Sequence, residues 1–140
     1  MNIKFVKLNI LITLFFLFFK PVYLYSNLSF LVIGDWGRDG KFNQMEVANQ
    51  MGLYAQKLNV SFVISTGYNF YPDGVFSIFD NQWQTSFENI YTHISLQIPW
   101  YVSLGNHDYL GNVQAEIDYT KTKAIDGICL PDIFLLQSIR

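Results

Sequence analysis

Apolar positions along the chain follow two regimes. From Leu8 to Phe19 they run together, interrupted only by Asn9 and Thr13, after Lys4 and Lys7 and before Lys20-Pro21. Beyond residue 26 they come in short blocks, each closed within two residues by a glycine: Leu28-Ser29-Phe30-Leu31-Val32-Ile33, then Val60 to Ser65, then Trp100 to Leu104. Blocks this short and this apolar predict buried strands of a sheet flanked by helices. Between them the spacing turns helical. Ala48, Met51, Gly52, Ala55 and Leu58 form one stripe, with Asn43 and Glu46 placed as a capping box. Asp80 predicts the start of a second helix, on which Trp83, Phe87, Ile90 and Tyr91 share a face. Asn112 predicts the cap of a third, short helix running to about Tyr119. The order is β-α-β-α-β-α, which predicts an α/β fold with a mostly parallel sheet.

The first apolar run changes the picture of the composition, which is 51% hydrophobic and 14% charged. A short positive stretch followed by about a dozen apolar residues is the layout of a signal peptide. It is shorter than the roughly 20 residues a bilayer span needs. Residues 1–26 therefore read as a signal and 27–140 as one domain, with cleavage near Ser26, although Leu24 suits the upstream position poorly. The rival reading is an uncleaved anchor extended by Val22 to Tyr25, the one case in which the membrane is a partner. The signal holds Lys4, Lys7 and Lys20 and no acid, so the formal charge goes from −2 to −5 without it. A mildly acidic chain with no basic cluster excludes nucleic acid as a natural partner. Cys129 is the single cysteine, so no internal disulfide forms. The sequons Asn27-Leu28-Ser29 and Asn59-Val60-Ser61 make Asn27 and Asn59 glycosylation candidates, in keeping with a secreted or vacuolar destination.

Each predicted strand ends in a polar loop: Gly34-Asp35-Trp36-Gly37, Gly67-Tyr68-Asn69-Phe70-Tyr71 and Gly105-Asn106-His107-Asp108. Ligands of open α/β sheets bind beyond the carboxyl ends of the strands, so the three loops make a candidate site. Taken singly, Asp35 is as well explained as a turn residue, and Asn106-His107 as a turn with a partly buried imidazole. Together they offer carboxylate, amide and phenol oxygens with an imidazole, a donor set that suits iron, manganese or zinc. Two such ions about 3.5–4 Å apart can hold a hydroxide and clamp a phosphate.

These three loops closely resemble the first three signature blocks of the purple acid phosphatases, within the calcineurin-like metallophosphoesterases. Ser65-Thr66-Gly67, Trp100-Tyr101-Val102-Ser103-Leu104 and Asp108-Tyr109-Leu110-Gly111-Asn112-Val113 are similar to the small single-domain members, and the likeness runs from about Leu28 to Asp118. The tyrosine closing the second block selects the purple type. The resemblance implies the amino-terminal half of a metallophosphoesterase sandwich and hydrolysis of phosphate monoesters at a ferric-plus-divalent site. By the same resemblance, Asp35 and Tyr71 ligate the ferric ion and Asn106 ligates the second ion (iron, zinc or manganese). His107 sits by the substrate phosphate as donor or proton source. Asp108 orients it or is plainly structural.

Two departures qualify the expectation. The family's second block carries a bridging aspartate where this chain has Tyr68. A phenol offers one oxygen, is bulkier, and is neutral to about pH 10 unless a metal acidifies it. Tyr68 therefore weakens the two-metal site, unless it packs as a plain aromatic or marks a one-base sequence error. Second, the later histidine blocks of the family have no match, and the only histidines are His93, read as a surface residue, and His107. Ile128-Cys129-Leu130 is similar to a family strand, and Pro131 to Arg140 matches nothing. The expectation is a truncated acid phosphatase, inactive as written, with a sheet face and edge open to self-association. The alternative is a non-catalytic secreted scaffold or phosphate-binding protein.

Overall fold

The computed structural model describes residues 27–123 and 133–135. The signal segment, Cys129 and the Ile128-Cys129-Leu130 run lie outside them. Four strands form one parallel sheet in the order β1-β2-β3-β4: β1 Phe30–Ile33, β2 Phe62–Ser65, β3 Trp100–Val102 and β4 Ile133–Leu135. The register pairs Ile33 with Ser65 and Ser65 with Val102, so the first three strands end level with one another. That level edge is what brings their loops together. β4 falls in a stretch whose sequence pattern predicts no element.

Helix α1, Gln44–Leu58, follows β1 and buries Ala48, Gly52 and Ala55. Small residues on that stripe let it lie close to the sheet. Asn43 occupies the N-cap position, but its side chain makes no capping hydrogen bond and its backbone is left-handed, with φ 63°. The predicted capping box does not form, because a capping side chain reaches the first-turn N–H groups from an extended backbone and not from a left-handed one; the next residue, Gln44, serves the preceding loop. Its Oε1 accepts from the backbone N–H groups of Arg38 (3.1 Å) and Gly40 (2.8 Å).

The predicted second helix is a short π-helical segment, Trp83–Glu88. Trp83, Phe87, Ile90 and Tyr91 are all buried, as the spacing predicts. The widened turn also brings Ser86 inside, where its hydroxyl accepts from the N–H of Asp39 at 2.9 Å. Asp80 accepts from Gln82 N–H at 3.0 Å and Phe76 N–H at 2.9 Å, which starts the segment. Helix α2, Val113–Lys123, is longer than predicted. Its cap is Asn112, whose Oδ1 accepts from Ala115 N–H at 3.2 Å. His93 is not a plain surface residue. It is half-buried against Gly52 of α1, and its Nδ1 accepts from Ser95 N–H at 3.2 Å.

The core sits on one face of the sheet, where Trp36, Phe70, Phe87, Tyr91 and Trp100 meet largely edge to face. Such pairs are favoured by the ring quadrupole beyond their burial. The other face is open. Phe30 stacks on Phe62 and Phe62 meets Tyr101 edge-on, while Phe30 and Val32 remain 46% and 59% exposed. β1 is thus half-buried on one side and exposed on the other, against the prediction of strands covered on both. Strands taken in sequence order with right-handed crossovers place their connections on the same side of the sheet. Among the described residues no helix is long and apolar enough to cross a membrane.

Candidate metal and phosphate site

The first loop begins where β1 ends. Asp35 sits at φ 58°, an uncommon conformation for a residue with a side chain. It turns the chain so that Asp35 and Trp36 are directed apart. Trp36 enters the core at 5% exposure, and its indole N–H donates to Ser65 Oγ at 2.9 Å. Asp35 stays exposed and accepts a short hydrogen bond from the Tyr71 hydroxyl. Two residues 36 positions apart, both assigned to one ion by resemblance, are therefore in direct contact.

Backbone contacts hold the first two loops in register. Gly37 forms a parallel bridge with Phe70, and Tyr71 N–H donates to Gly37 C=O at 2.9 Å. A Cβ at Gly37 would land on the carbonyl of Asn69. Gly37→Ala is expected to cost about 2–3 kcal/mol through overpacking. Chemical denaturation would show it, and a variant as stable as wild type would refute the close approach. Gly67 starts the second loop at φ 105°, a region open mainly to glycine, with the backbone N–H of Gly105 just beyond it.

Asn69 and Asp108 tie these loops to the third. Asp108 is fully buried and accepts from the backbone N–H groups of Asn69 (2.9 Å), Phe70 (3.1 Å) and Gly105 (2.7 Å). Among the described residues it makes no hydrogen bond to His107, so of the two roles left open its contacts are those of a structural bracket. The Asn69 side chain accepts from Ser65 Oγ at 2.6 Å and donates to Ser103 C=O at 2.9 Å, with Asp108 at 3.3 Å and Glu116 at 3.5 Å. One continuous polar chain thus joins Trp36, Ser65, Asn69, Asp108 and Glu116. Neither Asn69 nor Glu116 stands out as a hub in sequence. An acid beside Ala115 and Tyr119, the buried positions of α2, is the signal that points to Glu116.

Glu116 is 3% exposed, and its Oε1 has no partner. Burial, and then the charge of Asp108, push its carboxyl up to about 8, so it is held protonated at neutral pH. The Tyr71 phenol is raised to about 12, by desolvation first and then by its contact with Asp35. It is therefore a neutral donor to Asp35.

His107 is half-buried with its ring 4.4 Å from that of Tyr71 and 5.3 Å from that of Tyr68. Its Nδ1 contacts the Pro72 carbonyl. Tyr68, at φ 59°, packs its ring on the backbone of Gly105 and near Tyr71. Asn106, between Gly105 and His107, is exposed. The structure thus gathers Asp35, Tyr68, Tyr71 and His107 through direct contacts, and places Asn106 beside them in the chain. Asn27 and Asn59 are exposed, Asn59 as the left-handed C-cap of α1. Among the described residues no three His, Cys, Asp or Glu side chains gather as a metal cluster.

Comparison with known proteins gives the family. Residues 28–136 match the calcineurin-like phosphoesterase family. Purple acid phosphatase 3 of Arabidopsis thaliana is 60% identical over 107 residues, which are 75% of this chain and 29% of that protein. Purple acid phosphatase 7 of the same plant is 57% identical over 98 residues, 70% of this chain and 30% of the relative. Human tartrate-resistant acid phosphatase type 5 is 42% identical over 100 residues, 67% and 31% of the two chains. The solved structure of the anchor in the inner membrane complex of Plasmodium aligns with a TM-score of 0.68 and 28% identity, over 79% of this chain and 34% of that one. The chain spans about a third of the length of the relatives it matches. A parallel sheet with its polar loops at one edge, matched over most of its length, places this chain in the calcineurin-like phosphoesterases and, among them, in the purple acid phosphatases.

Proposed function

We propose that this chain carries the phosphate-facing loops of an acid phosphatase acting on phosphate monoesters. The observation that carries this reading is the contact between the Tyr71 hydroxyl and the Asp35 carboxylate, across two loops bridged at Gly37 and Phe70. Carboxylate and phenol oxygens suit a hard ferric ion, and the Asn106 amide suits a divalent neighbour such as iron, zinc or manganese. The fit to two ions stops there. Tyr68 stands where a carboxylate with two oxygens would bridge them, and its ring fills the space against Gly105 and His107. His93 is engaged at α1, so these 140 residues offer no further imidazole beyond His107.

A ferric ion would supply a field strong enough to acidify bound water. The chain's own part is clearer. Asp35 and Tyr71 would hold the ion. The Pro72 carbonyl fixes the proton of His107 on Nδ1, which leaves Nε2 as acceptor when neutral and as donor when protonated. Nε2 is thereby the ring nitrogen left to face a phosphate oxygen or a leaving alkoxide. Asp108 acts on this chemistry by holding the second and third loops together.

On these residues alone the donor set is that of a half-site, so the purified chain is expected to hold no more than one iron and to show no phosphatase activity above background. Tyr68→Asp is expected to raise its metal content. Metal analysis and the hydrolysis rate of an aryl phosphate, taken on one sample, make the test. Robust turnover that disappears in Asp35→Ala would overturn the half-site reading. Phosphate binding without turnover would favour a non-catalytic phosphate-binding scaffold, the reading to which Tyr68 points. Exposed Asn27 and Asn59 support passage through the secretory pathway, to the cell exterior or vacuole.

A further inference from the structure

We propose that Arg38 is a substrate-binding residue whose guanidinium receives the phosphate group of a monoester at the mouth of the Asp35–Tyr71 site. The proposal rests on the phosphate-ester reading above. The guanidinium carbon lies 3.7 Å from the centre of the Tyr71 ring and 5.7 Å from that of Phe42. Two aromatic faces thus hold the cation beside the hydroxyl that contacts Asp35, through its π-face rather than its N–H groups.

Among the described residues those N–H groups have no partner. The nearby acids are turned to other partners: Asp35 to Tyr71, and Asp39 to the hydroxyls of Thr85 (2.6 Å) and Ser86 (3.3 Å). Among the described residues the guanidinium has no hydrogen bond and no ion pair. An arginine carries up to five donors in a rigid fork that matches the oxygens of a phosphate.

The base of the side chain is also fixed. Arg38 N–H donates to Gln44 Oε1 and Arg38 C=O accepts from Lys41 N–H at 2.9 Å. Gln44 in turn donates to Ser86 C=O at 2.7 Å, and the neighbouring Gly37 is bridged to Phe70. A cation on a braced loop, held by two rings with its donors unspent, is preorganised for a dianionic group.

The test is a phosphorus NMR titration of the full chain with inorganic phosphate, compared with Arg38→Gln, Arg38→Lys and Phe42→Ala. Arg38→Gln is expected to weaken phosphate binding about tenfold, the scale of a charge-assisted hydrogen-bond pair. Arg38→Lys keeps the charge without the fork, and Phe42→Ala keeps the fork with one holder fewer, so both should lose less. Thermal unfolding of each variant checks that the fold is unchanged, since the Arg38 side chain makes no polar contact whose loss would unfold it. Phosphate affinity in Arg38→Gln within about twofold of wild type would overturn the proposal, as would a wild-type chain that binds no phosphate. The hydrolase reading fails separately. Arg38-dependent phosphate binding in a chain that never hydrolyses an ester supports Arg38 and removes the hydrolase, whereas turnover with Arg38-independent binding does the reverse.

Discussion

Asp108→Ala is expected to lower stability by about 3–5 kcal/mol, the scale of breaking a buried charged network. The carboxylate is fully buried and accepts from three backbone N–H groups, of Asn69, Phe70 and Gly105. Alanine leaves those donors in the interior with no acceptor and no route to water. A loss of that size removes much of the margin of a small domain, typically about 5–15 kcal/mol. Asp108→Asn keeps one acceptor oxygen but turns an NH2 group toward backbone N–H groups, so it should fall between alanine and wild type. Urea unfolding of the three proteins is the measurement. A change below about 1 kcal/mol in the alanine variant would mean that water satisfies the loops, and the bracket would carry little weight.

Glu116 should make the protein less stable as the solution turns alkaline. Its carboxyl is raised from 4.5 to about 8 in the folded state, by burial first and by the Asp108 charge second. Between those two values the folded chain keeps a proton that the unfolded chain has released. Raising the pH therefore favours unfolding across this window, and the loss is complete once the pH passes the folded value. The stabilisation is fully present below about pH 4.5 and gone above about pH 8, a span worth on the order of a few kcal/mol. Glu116→Gln imitates the protonated form, so its melting temperature should stay flat where that of wild type falls. It should exceed wild type above pH 8. Parallel curves for the two proteins from pH 5 to 9 would sink the assignment. The two groups are coupled. In Asp108→Ala one of the two causes that hold the proton is gone, so the slope due to Glu116 should shrink.

The two groups share a location behind the candidate ligands, and this decides what kind of variant is informative. Asp35 is exposed and Tyr71 and His107 are half-buried, and their contacts are with one another and with the loops around them. Asn69, Asp108 and Glu116 lie inside, where a lost activity would report a displaced loop rather than missing chemistry. Arg38 belongs to the first group, since it touches the site through ring faces and braces nothing else.

Much of this was legible along the chain. The three apolar blocks are strands, each loses its regular pairing within a few residues of a glycine, and the polar residues beyond them share one edge of a parallel sheet. A strand buried against a helix must be apolar, and a chain leaving it must turn, so period and glycine placement carry that information locally. Asn112 caps its helix as its spacing predicts, because a cap involves only residues three apart. Donor chemistry was legible for the same reason: residue type alone says that Asp35, Tyr71 and Asn106 offer hard oxygens.

Tertiary structure decided what depends on partners distant in sequence. The capping box at Asn43 gave way to a left-handed backbone, beside which Gln44 meets Arg38, Gly40 and Ser86, an arrangement that exists only once the first loop meets the π-helical segment. That segment is π-helical and holds Ser86 inside, where it meets Asp39, 47 residues away. β1 was left open on one face because all its neighbours cross on the other, which no property of β1 itself encodes. Asp108, whose type and motif left its role open, became a bracket when three backbone N–H groups from two loops converged on it. Periodicity records how a residue meets its own helix or strand. Only the folded chain sets which loop stands opposite a side chain, and with it whether a carboxylate serves chemistry or holds the site together.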